Sequence, residues 1–227
     1  MKQQPVIKAS VNTNQLLFLT AVFLLTACTA SYKNLKPIPY KDDNCVLQFK
    51  PNFTRALYNA QVNVLSTHLS GLLLIKLMPD SSTRLLFSTE TGFKFFDFEF
   101  DKSGNFKVHY ILDKMKKKAV INTLRNDFEL ALMTNIEKHP RELYKKDSLF
   151  YHRYTNEDLF DYYITDSSCS QLIRIEKASK RKIKMDMIMQ HYHNKMPDTI
   201  GITHHNFRFN IGLKRLETEN IDSSKTK

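Results

Sequence analysis

The stretch Phe93-Lys-Phe-Phe-Asp-Phe-Glu-Phe100 restricts the fold more than any other part of the chain. Strand side chains alternate between faces with period 2. As a strand, this run puts Phe96, Phe98 and Phe100 on one face, with Asp97 and Glu99 on the other. A turn at Lys102-Ser103-Gly104-Asn105 follows, and the pattern returns. Phe106, Val108, Tyr110 and Leu112 share a face, with Lys107 and His109 opposite. That is the period of an antiparallel sheet with one dry face. Asp97 and Glu99 read as the wet side of this ladder rather than as a catalytic carboxylate pair.

The same reading predicts strands at 46–49, 53–66, 69–78 and 83–88, and again at 148–154, 159–165, 171–177, 182–193 and 204–216. In 182–193 one face carries Ile183, Met185, Met187 and Met189, then His191 and His193. In 204–216 Phe207, Phe209, Ile211 and Leu213 line up against Arg208, Asn210 and Lys214. One helix is predicted, over about Asp113 to Ile136. Val120, Leu124, Phe128, Ala131 and Leu132 form its apolar stripe, and Arg125, Asp127 and Glu129 lie off it. Lys114, Lys116, Lys117 and Lys118 oppose the helix dipole at its start. They read as a solvated end or as a contact to lipid phosphates.

Roughly ten strands and one helix make a mainly β, α+β chain. A helix is ~10 Å wide and strands lie ~4.8 Å apart, so one helix covers two or three strands. The sheet must therefore curl, which predicts a curved antiparallel sheet forming a half-open barrel with a helical plug. Two outcomes fit. An apolar cavity remains, lined by Phe96, Phe98, Phe100, Val108, Met185, Met187, Met189, Phe207 and Phe209. Flexible Met suits an irregular apolar guest of this kind. Alternatively the core packs fully and holds no guest.

The N-terminus adds a second constraint. An apolar run from Leu16 to Ala27 ends in Leu25-Thr26-Ala27-Cys28, which resembles a bacterial lipobox. The run is shorter than the ~20 residues a spanning helix needs. It suits a signal peptide, with Lys2 and Lys8 before it and no acid. The expected organisation is a signal peptide over 1–27, a lipidated N-terminus and tether over 28–44, a half-barrel domain over 45–216 and a polar tail over 217–227. The resemblance implies cleavage before Cys28 and acylation of its thiol. Several acyl chains hold a protein stably at a membrane, where one does not. The absence of an early acid after Cys28 resembles lipoproteins passed to the outer membrane, and the periplasmic face is expected.

The formal net charge is +11. Losing Lys2 and Lys8 with the signal leaves it strongly basic, which favours anionic partners. Outside the cytoplasm those are membrane phosphates rather than nucleic acid. Only five glycines are present, and no P-loop or dinucleotide fingerprint occurs. No GxSxG elbow or HExxH pattern occurs either. Neither an enzyme nor a cofactor is expected. His191, His193, His204 and His205 are the nearest approach to a metal set, but they lack accompanying cysteines. Cys45 and Cys169 are expected either to form a disulfide in an oxidising compartment or to act as small buried fillers.

The segment Ser70 to Lys76, followed by Arg84 to Phe98, resembles the opening sheet of the LolA/LolB family of lipoprotein carriers and receptors. The similar features are a Gly-led apolar strand, a strand beginning with Arg, a tip loop holding Gly92 and an alternating return strand. The resemblance implies an open barrel that takes up the acyl chains of lipoproteins, with a periplasmic carrier protein as partner. One departure stands out. Where the receptor has an exposed apolar tip residue that aids delivery, Thr91 stands here, with Phe93 two residues on. The residues thus predict either a lipid-anchored acyl-binding protein or a filled-core interaction lipoprotein.

Overall fold

The computed structural model describes residues 32–39 and 44–216, apart from 65, 135, 157 and 194. The lipobox with Cys28 and the tail at 217–227 lie outside the described residues.

Thirteen strands build one antiparallel sheet that does not close. In chain order they are β1 (Lys36–Ile38), β2 (Arg55–Val64), β3 (Thr67–Leu77), β4 (Thr83–Ser88), β5 (Lys94–Phe100) and β6 (Phe106–Ile111). After the main helix come β7 (Arg141–Lys146), β8 (Leu149–Asn156), β9 (Leu159–Asp166), β10 (Leu172–Ala178), β11 (Ile183–His193), β12 (Met196–His204) and β13 (Phe209–Arg215). The spatial order is β1-β7-β8-β9-β10-β11-β12-β13-β2-β3-β4-β5-β6, so β1 and β6 are the free edges. This is the expected half-open barrel.

Alternation decides which side is dry. In β2 the residues Ala56, Tyr58, Ala60, Val62 and Val64 are buried, and Arg55, Asn59, Gln61 and Asn63 are exposed. The register puts Phe96 beside Phe87 and Phe98 beside Leu85, so apolar cross-strand pairs line the inner face. Gly71 marks a close approach. A Cβ there would stand 2.1 Å from the Ser88 carbonyl oxygen, so only glycine lets β4 bend across β3.

The inner face is plugged by α2 (Lys118–Leu132). Leu124, Phe128, Ala131 and Leu132 of its predicted stripe are buried in the core. The helix is shorter than expected. Residues Asp113–Met115 form a separate 3-10 turn, and Met133 takes a left-handed conformation at φ 50° that ends the helix. Asp127, which lies off the apolar stripe, is itself buried.

Three further differences have local causes. Residues 46–49 were expected as a strand, but α1 (Asn44–Leu47) forms instead. Cys45 and Val46 of this short helix are both buried. The stretch expected as one strand at 204–216 is the end of β12, a loop at 205–208, and β13. Part of the expected tether is built into the fold, because residues 36–38 pair with β7. Pro37 fits there because an edge strand can dispense with one amide donor.

The convex face has its own small cluster, formed by Tyr151, Tyr162, Ile164 and Ala178. Tyr32 covers it, stacking on Tyr162 at 4.6 Å between ring centroids and donating its hydroxyl to Glu176.

Candidate functional site

The predicted lining divides sharply. Phe96, Phe98, Phe100, Met185, Met187, Met189 and Phe209 are all 3% exposed or less and share one core cluster. Val108 and Phe207 do not join them. Val108 pairs with Phe98 in register but belongs to the free-edge strand β6, and it is 38% exposed. Phe207 lies in the 205–208 loop outside the barrel, against the His204 and Phe209 rings.

Side chains fill the middle of the barrel. Phe96 stacks on Phe98 at 4.4 Å and meets Phe128 of α2 at 5.9 Å. None of the described cavities is lined by Phe98, Met187 and Phe209 together. Open space lies elsewhere, including the outer face of β2 and β11–β13.

One of these cavities has a volume of about 570 Å³ and is framed by the segment after α1 and by β10 and β11. Phe49, Leu172, Ile173, Met189 and Tyr192 line it, with Gln48 and Gln190 among the polar groups. Such a volume lies within the ~300–1,000 Å³ typical of small-molecule pockets. Leu172 and Met189 belong to the core, so the cavity wall is the core's own surface. The Tyr192 hydroxyl is buried with no hydrogen-bond partner among the described residues, and burial pushes its pKa up. Of the residues expected to line a central cavity only Met189 borders this one, and Phe49, Leu172 and Tyr192 were not singled out. Alternation indicates which face a residue takes but not which end of the barrel stays open.

A disulfide braces this cavity. Cys45 on α1 is bonded to Cys169 in the β9–β10 turn, with their Cα atoms 5.5 Å apart. The Gln48 side chain donates to the Cys169 carbonyl at 2.6 Å and to that of Cys45 at 3.0 Å. Behind the bond, His152 Nε2 lies 3.4 Å from Cys45 Sγ and 3.2 Å from Thr165 Oγ1. Burial, the larger influence, and the nearby Arg141 charge push the His152 pKa down to about 4, so its ring is neutral. The donor atoms of Cys45, His152 and Cys169 lie within 4.8 Å of one another. The bonded sulfurs carry no thiolate to offer a metal, so this is a covalent brace as it stands. His152 was missed because nothing in a Tyr-rich strand marks one histidine as the neighbour of a distant cysteine.

A second cavity of about 260 Å³ opens where α2 faces β8–β10. It is polar, with Tyr154, Asp161, Tyr163 and Lys177 on the sheet side and Arg125 and Glu129 on the helix. Lys177 Nζ stands 2.7 Å from Asp161 Oδ1, and Arg125 pairs with Glu129 at 3.0 Å.

The histidines weighed as metal ligands do not converge. His193 pairs with Asp198, His204 with Asp127, and His205 with Asp186. The second of these links α2 to β12, with His204 Nε2 at 3.1 and 2.9 Å from the two Asp127 oxygens. Burial raises the Asp127 pKa, and His204 pulls it back. The wet side of β5 is less wet than expected, because Asp97 is only 7% exposed. Arg84 holds Asp97 by Nη2 to Oδ2 at 3.0 Å and Glu99 by Nη1 at 3.0 Å. Burial alone would raise the Asp97 carboxyl, but the Arg84 guanidinium outweighs it and holds the group below its ordinary value.

No family model matches the chain, and no curated protein does. Among solved structures the chain is similar to a "putative outer membrane lipoprotein-sorting protein domain" from Vibrio parahaemolyticus. The identity is 10% and the TM-score 0.42, over 77% of this chain and 89% of that one. At that identity and score the likeness carries no functional weight.

Proposed function

We propose that the protein is a lipid-anchored half-barrel that holds acyl chains, acting in lipoprotein or lipid transfer at the periplasmic face of the outer membrane. One observation carries this reading: the cavity of about 570 Å³ walled by Phe49, Leu172, Ile173, Met189 and Tyr192. Its wall joins these apolar side chains to polar ones, Gln48, Gln190 and Lys195 among them. The anchor is the acylated Cys28 implied by the lipobox. Phe93, 53% exposed in the β4–β5 loop, supports delivery, because it supplies an apolar tip beside Thr91. A periplasmic carrier protein is the natural donor of the acylated cargo.

The packed middle of the barrel favours a second reading, a filled-core interaction lipoprotein. The two readings part in one experiment. The soluble form starting at Thr29, purified without detergent, is examined by native mass spectrometry before and after incubation with an acylated peptide. A bound mass that fragments to an acyl chain is expected. It should be lost in Ile173→Trp, which fills the cavity from its rim, while the thermal melt stays close to the parent's. A protein bare before and after incubation overturns the acyl-binding reading and leaves the interaction module.

A further inference from the structure

The two ends of the barrel differ in charge. Antiparallel pairing sends the β4–β5, β8–β9, β10–β11 and β12–β13 connections, and the β6–α2 link, to one end. Segments 89–94, 112–118, 157–158, 179–182 and 205–208 there contain nine Lys and Arg against four Asp and Glu. The loops at the other end, at 48–54, 78–82, 101–105, 147–148, 167–171 and 194–195, contain three of each. All nine cations of the first end are exposed. They concentrate in two patches, Lys114 to Lys118 and Lys180-Arg181-Lys182.

Two further features mark the same end. Phe93 and Phe207, the large exposed phenylalanines of the described residues, both stand there, 53% and 41% exposed. The helix start there also lacks compensation. α2 has no acidic residue in its first turn and no side-chain cap at Lys117. Cations there oppose the helix dipole, whereas an external anion would complement both.

The chain before Tyr32 is long enough for Cys28 to reach this end too. Tyr32 is fixed on Tyr162, three residues from the start of β9 at the basic end, or ~10 Å along the strand. The four residues from Tyr32 back to Cys28 span at most ~14 Å. An anchor at Cys28 can therefore sit in the membrane that the basic end touches.

We infer that this loop end is a docking face for an anionic lipid bilayer, with Lys114–Lys118 and Lys180–Lys182 on the headgroup phosphates and Phe93 and Phe207 in the headgroup layer. Cations near an anionic surface attract it over about a Debye length, and aromatic side chains suit the interface. Docking would hold the acyl-binding barrel with its helix start against the bilayer. The inference does not depend on the cavity holding a ligand, so it is tested without one.

The test is flotation with vesicles, using the unlipidated protein starting at Thr29. Vesicles are phosphatidylcholine alone or phosphatidylcholine mixed with phosphatidylglycerol. Binding is expected to the mixed vesicles only and to weaken steeply with salt. The variant Lys116→Glu/Lys117→Glu/Arg181→Glu/Lys182→Glu should bind at least tenfold more weakly. Lys50→Glu/Lys102→Glu/Lys195→Glu, at the other end, should bind like the parent. Phe93→Ser/Phe207→Ser should bind several-fold more weakly with the salt dependence unchanged. Circular dichroism confirms that each variant is folded, and all the substituted side chains are exposed. Equal losses from the two charge-reversal variants would show diffuse attraction and overturn the inference. So would no binding to the mixed vesicles, or binding to an acidic polypeptide as strong as to them and indifferent to the phenylalanines.

Discussion

The buried contact between Asp127 and His204 ties the plug helix to the sheet, and its removal gives a sharp test of the packing. Asp127 is 1% exposed and receives His204 Nε2 at 3.1 and 2.9 Å. His204→Ala leaves a buried carboxyl in the core without its hydrogen-bond partner. Breaking a buried pair from one side costs about 3–5 kcal/mol. Burial already raises the Asp127 pKa in the native protein, and losing His204 removes the influence that lowers it. The variant's folded state then binds a proton more readily than its unfolded state, so its stability rises as pH falls. Urea melts followed by circular dichroism at pH 8 and pH 5 read this directly. The expected loss is about 3 kcal/mol at pH 8 and smaller at pH 5. The double variant Asp127→Leu/His204→Leu removes both polar groups and should lie within about 2 kcal/mol of the parent, since apolar replacement of a buried pair is often neutral. The reasoning is refuted if His204→Ala loses under about 1 kcal/mol at pH 8, or if the double variant is less stable than the single one.

Other perturbations follow from the same structure. His152 is held neutral with a pKa of about 4, so unfolding takes up a proton between pH 6.5 and 4. That folded-state depression contributes stability above the unfolded value and loses it as pH falls. Chemical melts should show a loss of about 3 kcal/mol across this window, and His152→Phe, if it folds, should show a flatter profile. The Cys45–Cys169 bond closes a loop of 124 residues. Replacing both cysteines by serine should cost up to about 4–5 kcal/mol by loop entropy, read as the gap between melts of the variant and the oxidised parent; reducing agent should shift only the parent. Gly71→Ala should destabilise by about 1–3 kcal/mol through overpacking, because its Cβ meets the Ser88 carbonyl. Gly201→Ala, with nothing within 4 Å of the new atom, should shift the melt little and serves as the control.

Much of the architecture could be read from residue order. The β5 alternation placed Phe96, Phe98 and Phe100 inside because one-faced strands repeat every two residues and the core takes the apolar set. The stripe from Leu124 to Leu132 was legible for the same reason at helical period. Strands whose residues do not alternate were not. β7 is polar because it lies near an open edge, β12 contains Pro197 and Gly201, and β1 is a three-residue edge piece with Pro37. Each is held by backbone pairing with its neighbouring strands, a source of order that side-chain periodicity does not record.

Local chemistry thus decides the class of this molecule: one-faced strands, too little helix to cover them, and a basic, glycine-poor chain. Solvent sorts each residue by its own polarity and its spacing from its neighbours, and that information is present in the order of residues. Which space stays open is decided only in three dimensions. The middle of the barrel is filled because Phe128 of α2 meets Phe96 there, while Phe49 and Tyr192, separated by most of the chain, meet around an empty volume. The pairing of His204 with Asp127, the His152–Cys45 contact and the gathering of lysines at one end arise in the same way. They depend on how the sheet curls and where its loops converge, and no stretch of sequence contains both partners.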